Sequence, residues 1–340
     1  MKKDNNHLED FPKSVGILYS EVKREYFPTE ARYITEKDAK SHSELVGKYI
    51  ADLGIDVKLY EGVPEVTALL KKDKPDMVFN LTGSIKGQEY LASAIPGILE
   101  AMEIPYTGAG ILGESLSYNK FLTKDLLNSH GIPVPNFQLM THYKSPLYQN
   151  LRFPLISKLN EVHGSVEISA DAVSENEKHL RERVKFLTDT YQQEVLVEEF
   201  IFGKEISVFL LEGKNKKVYM GEVSMANGSK YQLIDFDNQW VNMADPIQYI
   251  KYEDKGLKSY VKRAFNVLNM DDYGKFDVRV DESGRYYFID ANTNPFFGPK
   301  ELQSQIAKVL EIYGVNFKEI LRRLLINTMR EAKGKEALPL

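Results

Sequence analysis

The sequence predicts an α/β protein, and three observations carry that expectation. Short apolar strands alternate with helix-patterned stretches up to about residue 108, the order that builds a parallel sheet. Tyr273 to Pro299 shows the period-2 alternation of a hairpin. The 340 residues, 43% of them hydrophobic, can bury a large core and divide into two or three domains.

Taken in order, Ser14 to Tyr19 is a short buried strand, and a polar stretch follows from Ser20 to Lys40. Ser41 to Leu53 has helical spacing through Leu45, Tyr49, Ile50 and Leu53, with Gly54 as the stop. Asp56 to Tyr60 and Met77 to Leu81 are the next strands, separated by a helix from Val66 to Leu70 that ends before Pro75. Tyr90 to Met102 is another helix and Ile104 to Thr107 a short strand. Ligands of parallel sheets sit beyond the carboxyl ends of the strands, which places Ser20 to Glu25 and Asn80 to Glu89 near a site.

Gly108 to Gly113 matches GxGxxG, but it closes the strand–helix unit instead of following its first strand. It reads as a flexible domain crossing, not a cofactor loop. Ser117 to Ser129 is helical up to a stop at Gly131 to Pro133, and Lys120 and Lys124, one turn apart, read as surface lysines. Phe153 to Lys158 is a strand that enters a loop, Asn160 to Val166, whose Gly164 and Ser165 can turn backbone N–H groups toward a phosphate. Val195 to Val197 is a strand leading to Glu198, Glu199, Phe200 and Ile201, and Ile206 to Leu211 another. Gly228 to Pro246, with the single tryptophan Trp240, is a long loop of the kind that usually carries function. Lys255 to Leu268 is helical, Ile306 to Met329 is helix broken near Gly314, and Arg330 to Leu340 reads as a frayed tail.

The hairpin is the chemically pointed element. Turn residues from Asp281 to Arg285 join its strands and place Asp277 roughly opposite Asp290, with Asn292 and Lys275 on the same face. Facing carboxylates repel unless a cation lies between them, and oxygen donors without His or Cys select a hard ion, Mg²⁺ or Mn²⁺. The plain alternative is a hairpin whose acids face water.

Composition narrows the rest. A net charge of -5 argues against nucleic-acid binding as the main role. With no cysteine there is no disulfide, thiolate site or Cys nucleophile, which suits a reducing cytosol. The first residues lack the apolar core of a signal peptide, and no apolar run reaches membrane-spanning length, so a cytoplasmic protein without a membrane partner is expected. The six histidines show no HxH or HxxxH pairing, and a zinc site is not expected.

Four stretches in this order resemble the ATP-grasp superfamily, and within it the D-alanine–D-alanine ligase-like carboxylate–amine ligases. They are Tyr106 to Gly110, Tyr118 to Pro135, Val195 to Val208 and Gly274 to Pro295, and the likeness runs from about residue 14 to 325. The resemblance implies an N-terminal Rossmann-like parallel sheet domain (1–108) and two ATP-grasp subdomains (109–199 and 200–330, α+β) with the nucleotide between them, then a tail (331–340). It implies ATP and Mg²⁺ (or Mn²⁺) as cofactors. Lys120 and Lys158 would hold the phosphates, Gly164 and Ser165 would belong to the lid, and Glu198, Glu199, Phe200 and Ile201 would read adenine, with Glu198 accepting from its amino group. Glu205 would hold the ribose, and Asp277, Asp290 and Asn292 the metal. Lys275 and Ser165 would act at the reacting centre, and an N-terminal glutamate, taken as Glu21 with Glu25 and Glu36 as alternatives, would meet the first substrate.

The chemistry implied is an acyl phosphate formed from a carboxylate and then opened by an amine. Small-molecule carboxylate and amine partners follow, together with a homodimer by analogy with dimeric relatives. Departures fall in the substrate half. Lys275 stands where an arginine is common, Gln239-Trp240 where Lys-Tyr is usual, and the run Asn294 to Lys300 is bulky and lacks the usual serine. The expectation is therefore a ligase with retained ATP machinery and a rebuilt pocket, not D-alanine–D-alanine synthesis. The alternatives are a genuine D-alanine–D-alanine ligase, amino-acid loading of a carrier-protein thiol, and an ATP-binding protein without turnover.

Overall fold

The computed structural model describes residues 10–224, 230–241 and 247–339. Its first sheet is parallel, as the alternation requires: β1 (Ser14–Tyr19) lies between β2 (Asp56–Glu61) and β3 (Met77–Leu81). Val15, Ile17 and Leu18 are buried because helices cover both faces of β1. Apart from the short α1 (Glu30–Ile34), which packs its Ala31 on the core of the second sheet, these helices are α2 (Ala39–Ala51) on one face and α3 (Val66–Asp73) and α4 (Ala94–Ala101) on the other. The expected strand Ile104 to Thr107 shrinks to one parallel bridge between Tyr106 and Val78.

The glycine-rich crossing is pinned, contrary to the flexible reading. Gly108 N donates to Asp272 Oδ2 at 2.9 Å, Asn80 N donates to Thr107 Oγ1 at 3.1 Å, and Thr107 is wholly buried. A side chain at Gly113 would collide with the Asn269 carbonyl, so this glycine serves close packing. Two helices follow, α5 (Ile111–Ser117) and α6 (Lys120–Ser129), the second capped by Asn119 accepting from Leu122 N.

The second sheet is antiparallel in the order β4-β7-β5-β6, from β4 (Phe137–Met140), β5 (Leu155–Leu159), β6 (Val173–Ser174) and β7 (Val195–Glu199). Its core packs under α7 (Glu177–Tyr191), which buries Leu180, Val184 and Leu187. The third sheet, β10-β9-β8-β11-β12, holds β8 (Lys204–Leu211), β9 (Lys217–Ser224), β10 (Gln248–Lys251), β11 (Tyr273–Val280) and β12 (Tyr286–Asn292). Helix α9 (Lys255–Val267) packs on it. The long loop expected from Gly228 to Pro246 is described only over 230–241, where it holds the short helix α8 (Phe236–Trp240); its two ends lie outside the described residues.

Helices α10 (Gln305–Ile312) and α11 (Phe317–Ala332) close the chain, with the break at Gly314. The end is not frayed: Asn327 exchanges hydrogen bonds with Leu338, and Asp10 pairs with Arg330 at 2.6 Å and Lys335 at 2.6 Å. The cores cut across the expected domain boundaries. One cluster joins Ile17, Ile50 and Phe79 to Phe209, Tyr273, Phe297 and Leu324, so the first and third sheets share an interior. Leu127 of α6 belongs to the core of the third sheet, although its neighbours in sequence precede the second.

Candidate functional site

The hairpin of β11 and β12 sets the geometry. Its turn is fixed by Asp281, whose side chain accepts from Ser283 N at 2.9 Å and Arg285 N at 3.0 Å, while Gly284 takes φ +80°. Val280 then faces Tyr286 and Val278 faces Phe288, a register that would put Asp277 opposite Ile289. A bulge at that point shifts it by one residue, so Asp277 pairs with Asp290 and Lys275 with Asn292. The bulge is what brings the two carboxylates face to face.

All four residues line a cavity of about 820 Å³ walled by residues from all three sheets. The residues expected at a nucleotide site line it too: Lys120, Lys158, Gly164, Ser165, Glu198, Glu199, Phe200, Ile201 and Glu205. Lys120 and Lys124 are buried, not surface lysines. Lys120 Nζ donates to the Val162 carbonyl at 2.6 Å, whereas Lys124 pairs with Glu198 at 2.7 Å. Lys158 pairs with the other oxygen of Glu198. Burial alone would raise the Glu198 carboxyl, but Lys124 and Lys158 hold it below its usual range. Glu198 is thus first the counter-ion of two lysines.

Beyond Glu199 the chain leaves the ladder. Glu199 N and Phe200 N are taken by the carbonyls of Asn136 and Pro154, each at 2.9 Å, while Ile201 N–H has no partner among the described residues. Arg279, two residues after Asp277 on the same face, stacks on Phe200 at 4.8 Å and donates to Glu205 Oε2 at 2.6 Å. Burial raises the Glu205 carboxyl, Arg279 opposes that, and Oε1 keeps no hydrogen bond among the described residues. The period-2 face of β11 was the signal that could have found Arg279.

The metal candidates are chemically suited to a hard cation. Ser207 Oγ donates to Asp277 Oδ1 at 3.0 Å, and the Lys275 ammonium rests on Oδ2. Asp290 is surrounded by cations: against the cost of burial, Lys120, His163, Lys158 and Lys275 hold its carboxyl at about 2. It is an ionised carboxylate with no hydrogen-bond donor among the described residues. No set of three or more His, Cys, Asp or Glu ligands occurs among the described residues, so a metal here would take two carboxylates and the Asn292 amide, all oxygen.

The N-terminal glutamate is where expectation and structure part. Ser20, just past β1, turns into the cleft and accepts from Gly83 N and Ser84 N at 3.0 Å each, so its neighbour Glu21 points away. Glu21 does not line the cavity; it pairs with Lys23 at 2.6 Å and accepts from Tyr26 at 3.0 Å. Glu25 lies in an exposed turn outside the cavity as well. Glu36, just ahead of α2, does line it and accepts from Ser84 Oγ at 2.6 Å. Burial, then the Glu89 charge, pushes its carboxyl up to about 7.

The lid candidates are tied to the long loop. Ser165 Oγ donates to Gln239 Oε1 at 3.0 Å, and Trp240 Nε1 donates to the Gly164 carbonyl at 2.8 Å. Gly164 adopts φ +75° so close to Thr35 that a Cβ would come within 2.9 Å of it. The run from Asn294 to Lys300 holds no serine; Ser304, four residues on, caps α10 and lines the cavity.

Comparison with known proteins decides the family. Residues 126–326, more than half of the chain, match the family described as D-ala D-ala ligase C-terminus. The chain belongs to that family. It is an ATP-grasp ligase of the D-Ala-D-Ala ligase type, joining a carboxylate to an amine with ATP and Mg²⁺. A Sinorhizobium fredii protein named only as uncharacterized y4sG is 29% identical over 260 residues, 72% of this chain and 76% of that one. A D-alanine–D-alanine ligase of Pseudomonas entomophila is 26% identical over 290 residues, 82% and 85% of the two chains. In fold, the chain is similar to the crystal structure of D-alanine–D-alanine ligase from Bacillus anthracis complexed with ATP. The TM-score is 0.72 at 16% identity, over 95% of this chain and 99% of that one.

Proposed function

We propose that this ligase activates an amino acid as an acyl phosphate and joins it to an amine other than a second D-alanine. The supporting observation is the bulged register that sets Asp277 against Asp290 in a cavity also lined by Lys120, Lys158 and Glu36. In this reading Glu199, Phe200 and Ile201 hold adenine with Glu198 Oε2, Glu205 Oε1 takes the ribose, and Lys120 and Lys158 meet the phosphates. Asp277, Asp290 and Asn292 hold magnesium, which when bound neutralises charge on the phosphates. Lys275 leaves Asp277 as that site fills and faces the oxyanion. Glu36 accepts from the ammonium of the first amino acid, whose carboxylate takes the γ-phosphoryl while ADP leaves. The amine then attacks the acyl carbon, the C–N bond forms, the C–O bond to phosphate breaks, and the departing phosphate carries off the proton that the amine loses. Positioning and fixed charge supply the acceleration, and Ser165 with the Gly164 loop keeps water out.

The substrate half supports a departure from D-alanine. Phe296 lines the cavity and packs on His42 at 4.6 Å, and Gln239 and Trp240 occupy the lid contact. Phosphate release measured with D- and L-amino acids, singly and in pairs, tests the reading: an amino-acid pair or acid–amine pair should exceed D-alanine alone. Fast ATP turnover with D-alanine alone replaces it with D-alanine–D-alanine synthesis.

A further inference from the structure

His163 opens the lid loop, and three observations set it apart from a surface histidine. Its backbone N and its ring Nδ1 both meet Glu89 Oε2 at 2.9 Å. Glu89 also faces Arg32 at 3.4 Å, and all three side chains are buried to 14% exposure or less. Arg32 in turn donates to the Gly87 carbonyl at 2.6 Å, so α1, the segment after β3 and the lid each contribute one polar side chain to a buried chain. Burying charge in this way is costly unless the geometry is needed.

The second observation is the other ring nitrogen. Nε2 is buried and has no hydrogen-bond partner among the described residues. The Tyr118 ring meets the imidazole edge-on at 5.3 Å and fixes its plane. Orphaned buried polar atoms are rare enough to need an explanation, and a missing ligand is one. Burial works against the Glu89 carboxyl, yet His163 and Arg32 hold it below its usual range, so it is ionised. It accepts the Nδ1–H hydrogen bond, and Nε2 is the donor left for an anion when the ring is cationic.

The third observation is position. Lys120 Nζ grips the carbonyl of Val162, the residue before His163, and both Lys120 and His163 line the cavity. Lys120, His163 and Lys158 are the three leading sources of positive charge felt by Asp290. The imidazole therefore sits beside the two lysines that line the cavity with the candidate metal carboxylates, although no motif in the chain announces it.

We infer that His163 Nε2 donates to the γ-phosphoryl group of ATP, with Glu89 and Arg32 as positioning residues that hold the ring. This rests on the reading of Lys120 and Lys158 as phosphate ligands. The lid histidine then distinguishes ATP from ADP: it closes on the triphosphate and loses its partner once the phosphoryl has moved. Glu89 acts only through the imidazole.

Calorimetric binding of β,γ-imido-ATP and of ADP, each with Mg²⁺, to full-length protein tests this without turnover. His163→Ala should weaken the triphosphate by roughly 10- to 100-fold, the range for a hydrogen bond to a charged group, and leave ADP unchanged. His163→Gln, which keeps an N–H near the Nε2 position, should recover part of that loss and serves if the alanine variant does not fold. Glu89→Gln should lower triphosphate affinity by a smaller factor, again without touching ADP. Equal losses for both nucleotides in the histidine variants would make His163 a lid latch only, and no loss for either would remove it from the site; each result overturns the inference. If the unaltered protein bound neither nucleotide, the reading of the site itself would fall, and the inference with it.

Discussion

The two ends of the cavity treat charge in opposite ways. At the nucleotide end, cations and anions are already matched: Lys124 and Lys158 on Glu198, Lys275 on Asp277, Arg279 on Glu205. At the amino-acid end Glu36 has serine hydroxyls but no ion pair among the described residues, and its carboxyl stands at about 7. The first end is built to exchange partners when phosphates and metal arrive. The second end is built to gain a cation it lacks, which suits an incoming ammonium. Binding at the second end should therefore depend on pH near neutrality.

The largest effect should come from the carboxylate that has no donor. Asp290→Asn removes one charge from the facing pair while keeping its size. Mg²⁺-dependent phosphate release should fall about a thousandfold, the scale of several kcal/mol of metal-borne charge stabilisation. Full activity in that variant would break the metal assignment. Lys158→Ala should raise the KM for ATP by roughly 10- to 100-fold and leave the KM of the amino acid nearly unchanged. Glu198 still keeps Lys124 in this variant, so the fold survives. A rise confined to the amino acid would mean that Lys158 serves the other end.

Glu36 sharpens the contrast. Below about pH 7 its carboxyl holds a proton and no longer attracts an ammonium, so the KM of the first amino acid should rise on acidification. Glu36→Gln should raise that KM by roughly 10-fold at pH 8, the worth of one charge-assisted hydrogen bond, and flatten the profile. A Glu21→Gln variant with the same behaviour would restore the sequence-based assignment.

The same contrast explains what was legible in the chain. Strands β1 and β3, α9 and the hairpin are read from local periodicity, because each is a run whose apolar face is dictated by its own sheet or core. The hairpin and its turn follow from period 2 and recognisable turn residues, but the facing of Asp277 and Asp290 depends on the bulge at Ile289, which nothing in the local pattern signals. Glu36 and His163 are different. Their partners lie in Ser84 and Glu89, 48 and 74 residues away, and nothing local to either residue signals that distance. Lys124 was misread for the same reason: its face of α6 looks outward until β12 and Glu198 of β7 are folded over it. The pinned crossing at Gly108 needed Asp272, which is 164 residues on.

A third carboxyl tests whether burial without cations is enough to hold a proton. Glu114 on α5 lies behind the turn that follows Asn292, where Thr293 Oγ1 donates to its Oε2 at 3.2 Å and Oε1 has no hydrogen-bond partner among the described residues. Burial pushes it up to about 8, opposed only by the Thr293 hydrogen bond. Its folded value is raised above the unfolded one, so the stability it contributes is complete below the unfolded value of about 4.5 and is lost as pH rises to about 8. Glu114→Gln keeps the acceptor for Thr293 and cannot ionise. The variant should therefore match the parent in thermal stability near pH 4.5, exceed it progressively above that, and hold a constant advantage beyond about pH 8. A difference that does not change with pH would mean that Glu114 finds a counter-charge, and the distinction between a paired end and an unpaired end of the molecule would lose its physical basis.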